Sequence, residues 1–249
     1  LPGNDSLTPQ NLNEVSYFMT ISALIHQLLS TENPVLPAPT LILIALHVGW
    51  ASVLGASAFW AGGRLHPVYR LGLSLLVVLW ALWPGSASPT YWLGLAFQAP
   101  SLMTVLLCWL GLISLAQNKP AKRISRSGAQ TLILKIGVVM GIVLGWVLLF
   151  DTLAWLPVSV YSWGFSAAAC AAVIGVVAIV WAFGAGFTPW NTHHNVSFFL
   201  ALGVMALFVL TRLPTGNVWD ALLDPWLWLA LQAFAIRVGL QRWRGQRAG

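Results

Sequence analysis

The sequence predicts an all-α fold: a polytopic bundle of about seven transmembrane helices, amino end outside and carboxyl end inside, preceded by an amphipathic surface helix. Three observations predict it. Of 249 residues, 58% are hydrophobic and only 7% charged, with a mean hydropathy of +0.80; a soluble domain of average composition carries about 25% charged residues. Apolar runs recur at residues 40–61, 70–84, 91–116, 130–150, 162–186, 196–212 and 225–241, and a spanning helix needs about 20 mainly apolar residues. The charges also segregate. Arg64 and Arg70 lie between spans one and two. Lys119, Lys122, Arg123 and Arg126 lie between three and four. Arg237, Arg242, Arg244 and Arg247 lie at or beyond the end of span seven. Seven crossings put all three groups on one face, which the positive-inside rule makes cytoplasmic. Asp5, Glu14, Glu32, Asp151, Asp220 and Asp224 then fall on the other face. The net charge of +6 therefore orients the chain in a lipid bilayer and predicts no nucleic-acid partner. The expected localisation is the bacterial plasma (inner) membrane.

The chain divides into an outer-face helix and Pro-rich link (1–39), the bundle (40–241) and a basic cytoplasmic tail (242–249). It opens on Leu1 rather than Met, which predicts that an upstream segment has been removed. Residues 12–29, LNEVSYFMTISALIHQLL, place Leu12, Val15, Phe18, Met19, Ile25 and Leu29 at helical spacing, with Asn13, Glu14, Ser16, Thr20 and Gln27 largely opposite. That pattern suits a helix lying on the outer membrane surface or capping the bundle. An eighth span is the alternative; its apolar core is short, and it would move the amino end inside. Asn33-Pro34 and Pro37 to Pro39 then make a stiff link, because a proline biases the residue before it toward extended backbone.

Span two is short and borrows from Pro84 to Ser88 if it crosses. Span three carries Gln98 and Pro100, an amide and a helix-breaking ring inside an apolar run. Span four, GVVMGIVLG, sets Gly137, Gly141 and Gly145 on one face, a small-residue pattern that admits a second backbone at close range. Packing within the bundle is the first reading of that face, and a homodimer seam or a membrane protein partner the alternative. Span five repeats the theme with Ala168, Ala172, Gly175, Ala178, Ala182 and Gly186, and span one with Ala51 and Gly55. Lys135 lies one turn inside span four, near enough to its end to reach the headgroups. Arg212 ends span six against the charge rule, and an ion pair with Asp151, Asp220 or Asp224 is its expected role. Most of the 15 tryptophans, Trp60, Trp92, Trp155 and Trp226 among them, stand near span ends as an interfacial belt. Cys108 and Cys170 sit in apolar runs as reduced packing residues.

The candidate ligand site follows from depth. His47 and Gln98 each lie seven residues in from the outer end of their spans, about 10 Å deep at 1.5 Å per residue, on helices running the same way. Ser101 and Thr104 add hydroxyls on the next turn, and Asp151, Arg212 and Asp220 ring the same end. Together they predict a polar cavity in the outer half of the bundle, since ionisable groups within a membrane are functional candidates. The competing reading is a structural hydrogen bond between His47 and Gln98. His66, His193 and His194 are weak metal candidates, because structural zinc wants four ligands and adjacent histidines diverge on a helix.

No HExxH, GxSxG, Walker loop or paired-carboxylate motif occurs, so an enzyme is disfavoured and no cofactor is required. Residues 217–228, NVWDALLDPWLW, resemble the outer tryptophan- and aspartate-rich segment of membrane proteins that handle haem for cytochrome c assembly. The resemblance covers a dozen residues and implies haem binding at the outer face. That family's segment is richer in tryptophan and is flanked by outward-facing histidines, for which His26 and His47 are the counterparts here. Three functions follow in order: a small permease or transport subunit, a non-catalytic membrane subunit or assembly factor, and an outer-face membrane enzyme or haem handler.

Overall fold

A computed structural model describes residues 29–31, 34–116, 128–185 and 195–247, and among these the fold is all-α. The helices are α1 (Pro39–Ala61), α2 (Pro67–Ala81), α3 (Pro89–Phe97), α4 (Leu102–Ala116), α5 (Gly128–Thr152), α6 (Val160–Trp163), α7 (Ala167–Ala185), α8 (Asn195–Thr211), α9 (Val218–Leu222) and α10 (Pro225–Arg247). Proline opens α1, α2 and α3, where its missing N–H has no intrahelical partner to lose. Side-chain oxygens close other starts. Ser88 accepts from the Thr90 amide at 3.1 Å, and Asn217 from the Trp219 amide at 2.9 Å, each satisfying a donor that the helix leaves over.

Every apolar run of the sequence has a helix within a few residues of its expected bounds, with three differences. The third run is not one helix: it stops at Phe97 and restarts at Leu102, because Pro100 cannot supply an amide and Gln98 adopts φ 59, ψ −150. The fifth run, expected from residue 162, is interrupted at 164–166, between α6 and the start of α7 at Ala167. The last helix runs on through the expected tail to Arg247. Pro39–Ala61 and Lys135–Thr152 are long and apolar enough to cross a membrane. Pro67–Ala81, Leu102–Ser114, Ala167–Ala182 and Phe198–Thr211 are apolar but shorter.

Helix α1 packs on α2, α3 and α4; α4 meets α8 and α9; α8 meets α7; and α5 packs on α6, α7 and α10. The main buried cluster joins α7, α8 and α9 through Cys170, Met205, Phe208 and Trp219. Outside it, large apolar side chains face outward, Leu76 at 67% and Leu210 at 81% exposure among them. An apolar exterior of this extent suits a hydrocarbon neighbour better than water. Cys108 and Cys170 are free and buried.

The glycine face of α5 is used within the chain. A Cβ at Gly145 would overlap the Trp228 indole, and one at Gly141 would come within 2.6 Å of Leu231 Cδ1, both on α10, whereas Gly137 faces open space. The proposed surface helix over residues 12–29 lies almost wholly outside the described residues, as do the predicted cytoplasmic cations Lys119 to Arg126.

Candidate functional site

The break in the third apolar run is held from two sides. The Gln98 carbonyl, freed where α3 ends, accepts the Trp50 indole N–H of α1 at 2.7 Å. Gly49 lets the two segments close up, since a Cβ there would lie 2.8 Å from Pro100. On the far side, the Ser101 amide donates to Asp224 Oδ2 at 2.8 Å, and the Leu227 amide donates to Asp224 Oδ1 at 2.7 Å. One buried carboxylate thus caps the starts of two helices, α4 and α10, where the partial positive charge of each helix favours an anion. Ser101 Oγ completes the cap of α4 by accepting the Thr104 amide at 3.1 Å, and it pairs with Thr104 Oγ1 at 2.8 Å.

Beside the break, the connectors 152–166 and 212–224 form a second polar layer centred on Tyr161. Its amide donates to Asp151 Oδ2 at 2.6 Å, and its phenol donates to Asp220 Oδ2 at 2.7 Å. Thr215 also donates its hydroxyl to Asp220. Asn217 Nδ2 donates to the Tyr161 carbonyl at 2.8 Å, and Trp219 Nε1 donates to the Val160 carbonyl at 2.9 Å. Gly164 is needed where these connectors cross, because a Cβ would overlap Asn217 and Trp219. Burial pushes the Asp220 carboxyl above its ordinary range, with the Thr215 and Tyr161 hydrogen bonds opposing the rise. Burial, the Asp220 charge and the Asp220 hydrogen bond push the Tyr161 phenol up, while hydrogen bonds from Thr215 and Asn217 oppose the rise. The phenol therefore keeps its proton and acts as a donor.

The sequence-predicted site residues divide accordingly. Ser101 and Thr104 meet at the break, and Asp151 and Asp220 meet around Tyr161. Gln98 reaches the break through its backbone carbonyl; its side chain is exposed. His47 Nδ1 pairs with the Leu43 carbonyl of its own helix at 2.9 Å. No hydrogen bond joins His47 to Gln98 among the described residues. The expected ion pair of Arg212 is replaced by a stack: its guanidinium lies 5.4 Å from the Phe208 ring centroid, while uncharged N–H and O–H donors occupy Asp151, Asp220 and Asp224. His66 stands before α2, edge-on to Tyr69 at 6.2 Å. His193 and His194 lie outside the described residues, and no group of three metal-ligating side chains gathers among the described ones.

Asp224, Tyr161 and Asn217 are three of the contributors not foreseen as site residues. Two carried a signal. Asp224-Pro225 is a cap followed by proline at the first helical position, and Asn217 stands before an acidic first turn. Tyr161 carried none, because its role depends on a loop more than 50 residues away. The segment 217–228 that resembles haem-handling proteins forms α9 and the start of α10, with Asn217, Trp219, Asp220 and Asp224 all bonded within the chain. No protein-family model, curated protein or solved structure matches the chain.

Proposed function

We propose that the chain is a seven-span integral membrane protein, amino end outside, that works as a small permease or transport subunit. The observation that supports this reading best is the interrupted third span, with a buried carboxylate set at the gap. Membrane helices rarely surrender backbone hydrogen bonds, and they do so where the freed groups line a cavity or are met by protein. In transporters such half-helix ends form the substrate or ion site. Here the ligand-facing set is Asp224, Ser101, Thr104 and the 98–100 backbone, with Asp151, Asp220 and Arg212 at the mouth and His47 and Gln98 on the flanking helices. The expected test is a thermal-shift screen of the detergent-purified chain against ions, amino acids, sugars and nucleobases, followed by uptake into proteoliposomes. A stabilising solute whose effect disappears in Asp224→Asn, while Gly137→Ala retains it, supports the reading. The absence of any stabilising or transported solute sinks it.

A non-catalytic subunit or assembly factor is the second reading. It is favoured by the extent to which the carboxylates at this end are already hydrogen-bonded within the chain. It predicts a stoichiometric protein partner in native mass spectrometry after gentle extraction.

A further inference from the structure

A groove runs between α1, α2 and α4, walled by Val48, Ser52, Gly55, Ser74, Val78 and Trp109. Its polar atoms are already paired. Ser74 Oγ donates to the Gly55 carbonyl at 2.8 Å; Ser52 Oγ donates to the Val48 carbonyl at 2.7 Å and accepts the Trp109 indole N–H at 3.0 Å. The wall therefore offers methyl and methylene surface and suits a chain without polar atoms. Ser74, Val78 and Leu82, which lines the same groove, stand four residues apart and form one row along α2.

Extended one turn toward the start of α2, the row reaches Arg70. This guanidinium is fixed in place: Nε and Nη2 donate to the Phe59 carbonyl at 3.3 and 3.2 Å, and its carbon lies 4.2 Å from the Phe59 ring centroid. A guanidinium carries five donors, so Nη1 remains for an anionic oxygen. Arg64 adds a second positive charge in the turn before α2, and no Asp or Glu occurs anywhere between residues 33 and 150.

Resting on the membrane-spanning reading above, we infer that this groove binds an anionic phospholipid, with one acyl chain along the α2 row and the phosphate on Arg70 and Arg64. From Arg70 to Leu82 the helix rises about 18 Å. An apolar groove with a preorganised cation one helical turn beyond its lining matches the two halves of such a lipid.

The test uses the full chain in nanodiscs of equimolar phosphatidylglycerol and phosphatidylcholine, released and weighed by native mass spectrometry. The expected result is a retained phosphatidylglycerol adduct that outnumbers the phosphatidylcholine adduct. Retention should fall about tenfold in Arg70→Gln, the scale of one charge-assisted hydrogen bond. It should fall similarly in Val48→Trp, which fills the groove from its exposed side and leaves Arg70 and Phe59 untouched. Should Arg70→Gln fail to fold, by loss of its melting transition in circular dichroism, Val48→Trp decides. Equal retention of the two lipids, or unchanged retention in Val48→Trp, overturns the site while leaving the membrane reading intact. Release of the wild-type chain from membranes by alkaline carbonate overturns the membrane reading itself.

Discussion

Gln98 and Asp220 show how single residues carry opposing demands. Gln98 holds φ at 59 and ψ at −150, a region nearly reserved for glycine that costs other residues about 1–3 kcal/mol. Its side chain is exposed, and what the fold uses is its carbonyl. Gln98→Gly should therefore relieve more strain than it adds in unfolded-chain entropy, raising stability by about 1 kcal/mol, read as a higher melting temperature in detergent. At Asp220 the carboxyl titrates above its ordinary range because burial outweighs its two hydroxyl donors. The folded protein then binds a proton more readily than the unfolded chain. Stability is fullest below the unfolded pKa of about 3.9, and it falls as pH rises from there through the folded value. Asp220→Asn keeps an acceptor oxygen without the charge. It should flatten that slope and leave the protein at least as stable at neutral pH, as melts across the acidic range would register. An Asp220→Asn protein that melts lower at neutral pH would show that the hydroxyl donors outweigh burial after all.

At the scale of elements, most of the helices were legible in the residues, and their interruptions were not. Apolar runs mark the starts of α1, α2, α5, α8 and α10 within a few residues, and proline opens α1, α2 and α10, because local hydrogen bonding and hydropathy decide those starts. The gap between α3 and α4 announced itself only as Gln98 and Pro100. Whether a proline kinks a helix or divides it depends on partners elsewhere, here Trp50 and Asp224. The glycines of α5 were legible as a close-packing face, but not which helix fills it. Gly145 is overlaid by Trp228, whose indole N–H reaches the Ile142 carbonyl at 3.2 Å. Gly145→Leu should displace that indole and cost about 1–3 kcal/mol. Gly137→Leu, at a position where an added Cβ meets nothing within 4 Å, should be close to neutral. Equal melting temperatures for the two variants would contradict the α5–α10 packing.

For the whole molecule, the segregation of charge along the sequence predicts an orientation. Ala87 is exposed in the connector between α2 and α3, and the native thiols Cys108 and Cys170 are buried, so an introduced cysteine reports alone. Ala87→Cys should react with an impermeant maleimide added outside sealed cells, and a cysteine at Arg64 only after the membrane is opened. The reverse pattern would invert the bundle and put the Asp220 layer on the cytoplasmic face. The candidate site was half legible at this scale. Ser101 and Thr104, placed on the turn after Gln98, pair with each other, whereas His47 and Gln98, grouped by helical depth, share no hydrogen bond among the described residues. Connector length says nothing of how two loops interlock, so the meeting of Asp151 and Asp220 on Tyr161 could not be read from residue order.

The double cap by Asp224 bears on how the protein is made. Ser101 and its acceptor are 123 residues apart, and ribosomes add about 5–20 residues per second. The nascent chain therefore waits about 6–25 seconds with the Ser101 amide lacking its carboxylate. Until residue 224 emerges, the divided helix is a provisional element, open to whatever insertion factor or lipid can hold it. Any truncation upstream of that aspartate would leave it so permanently.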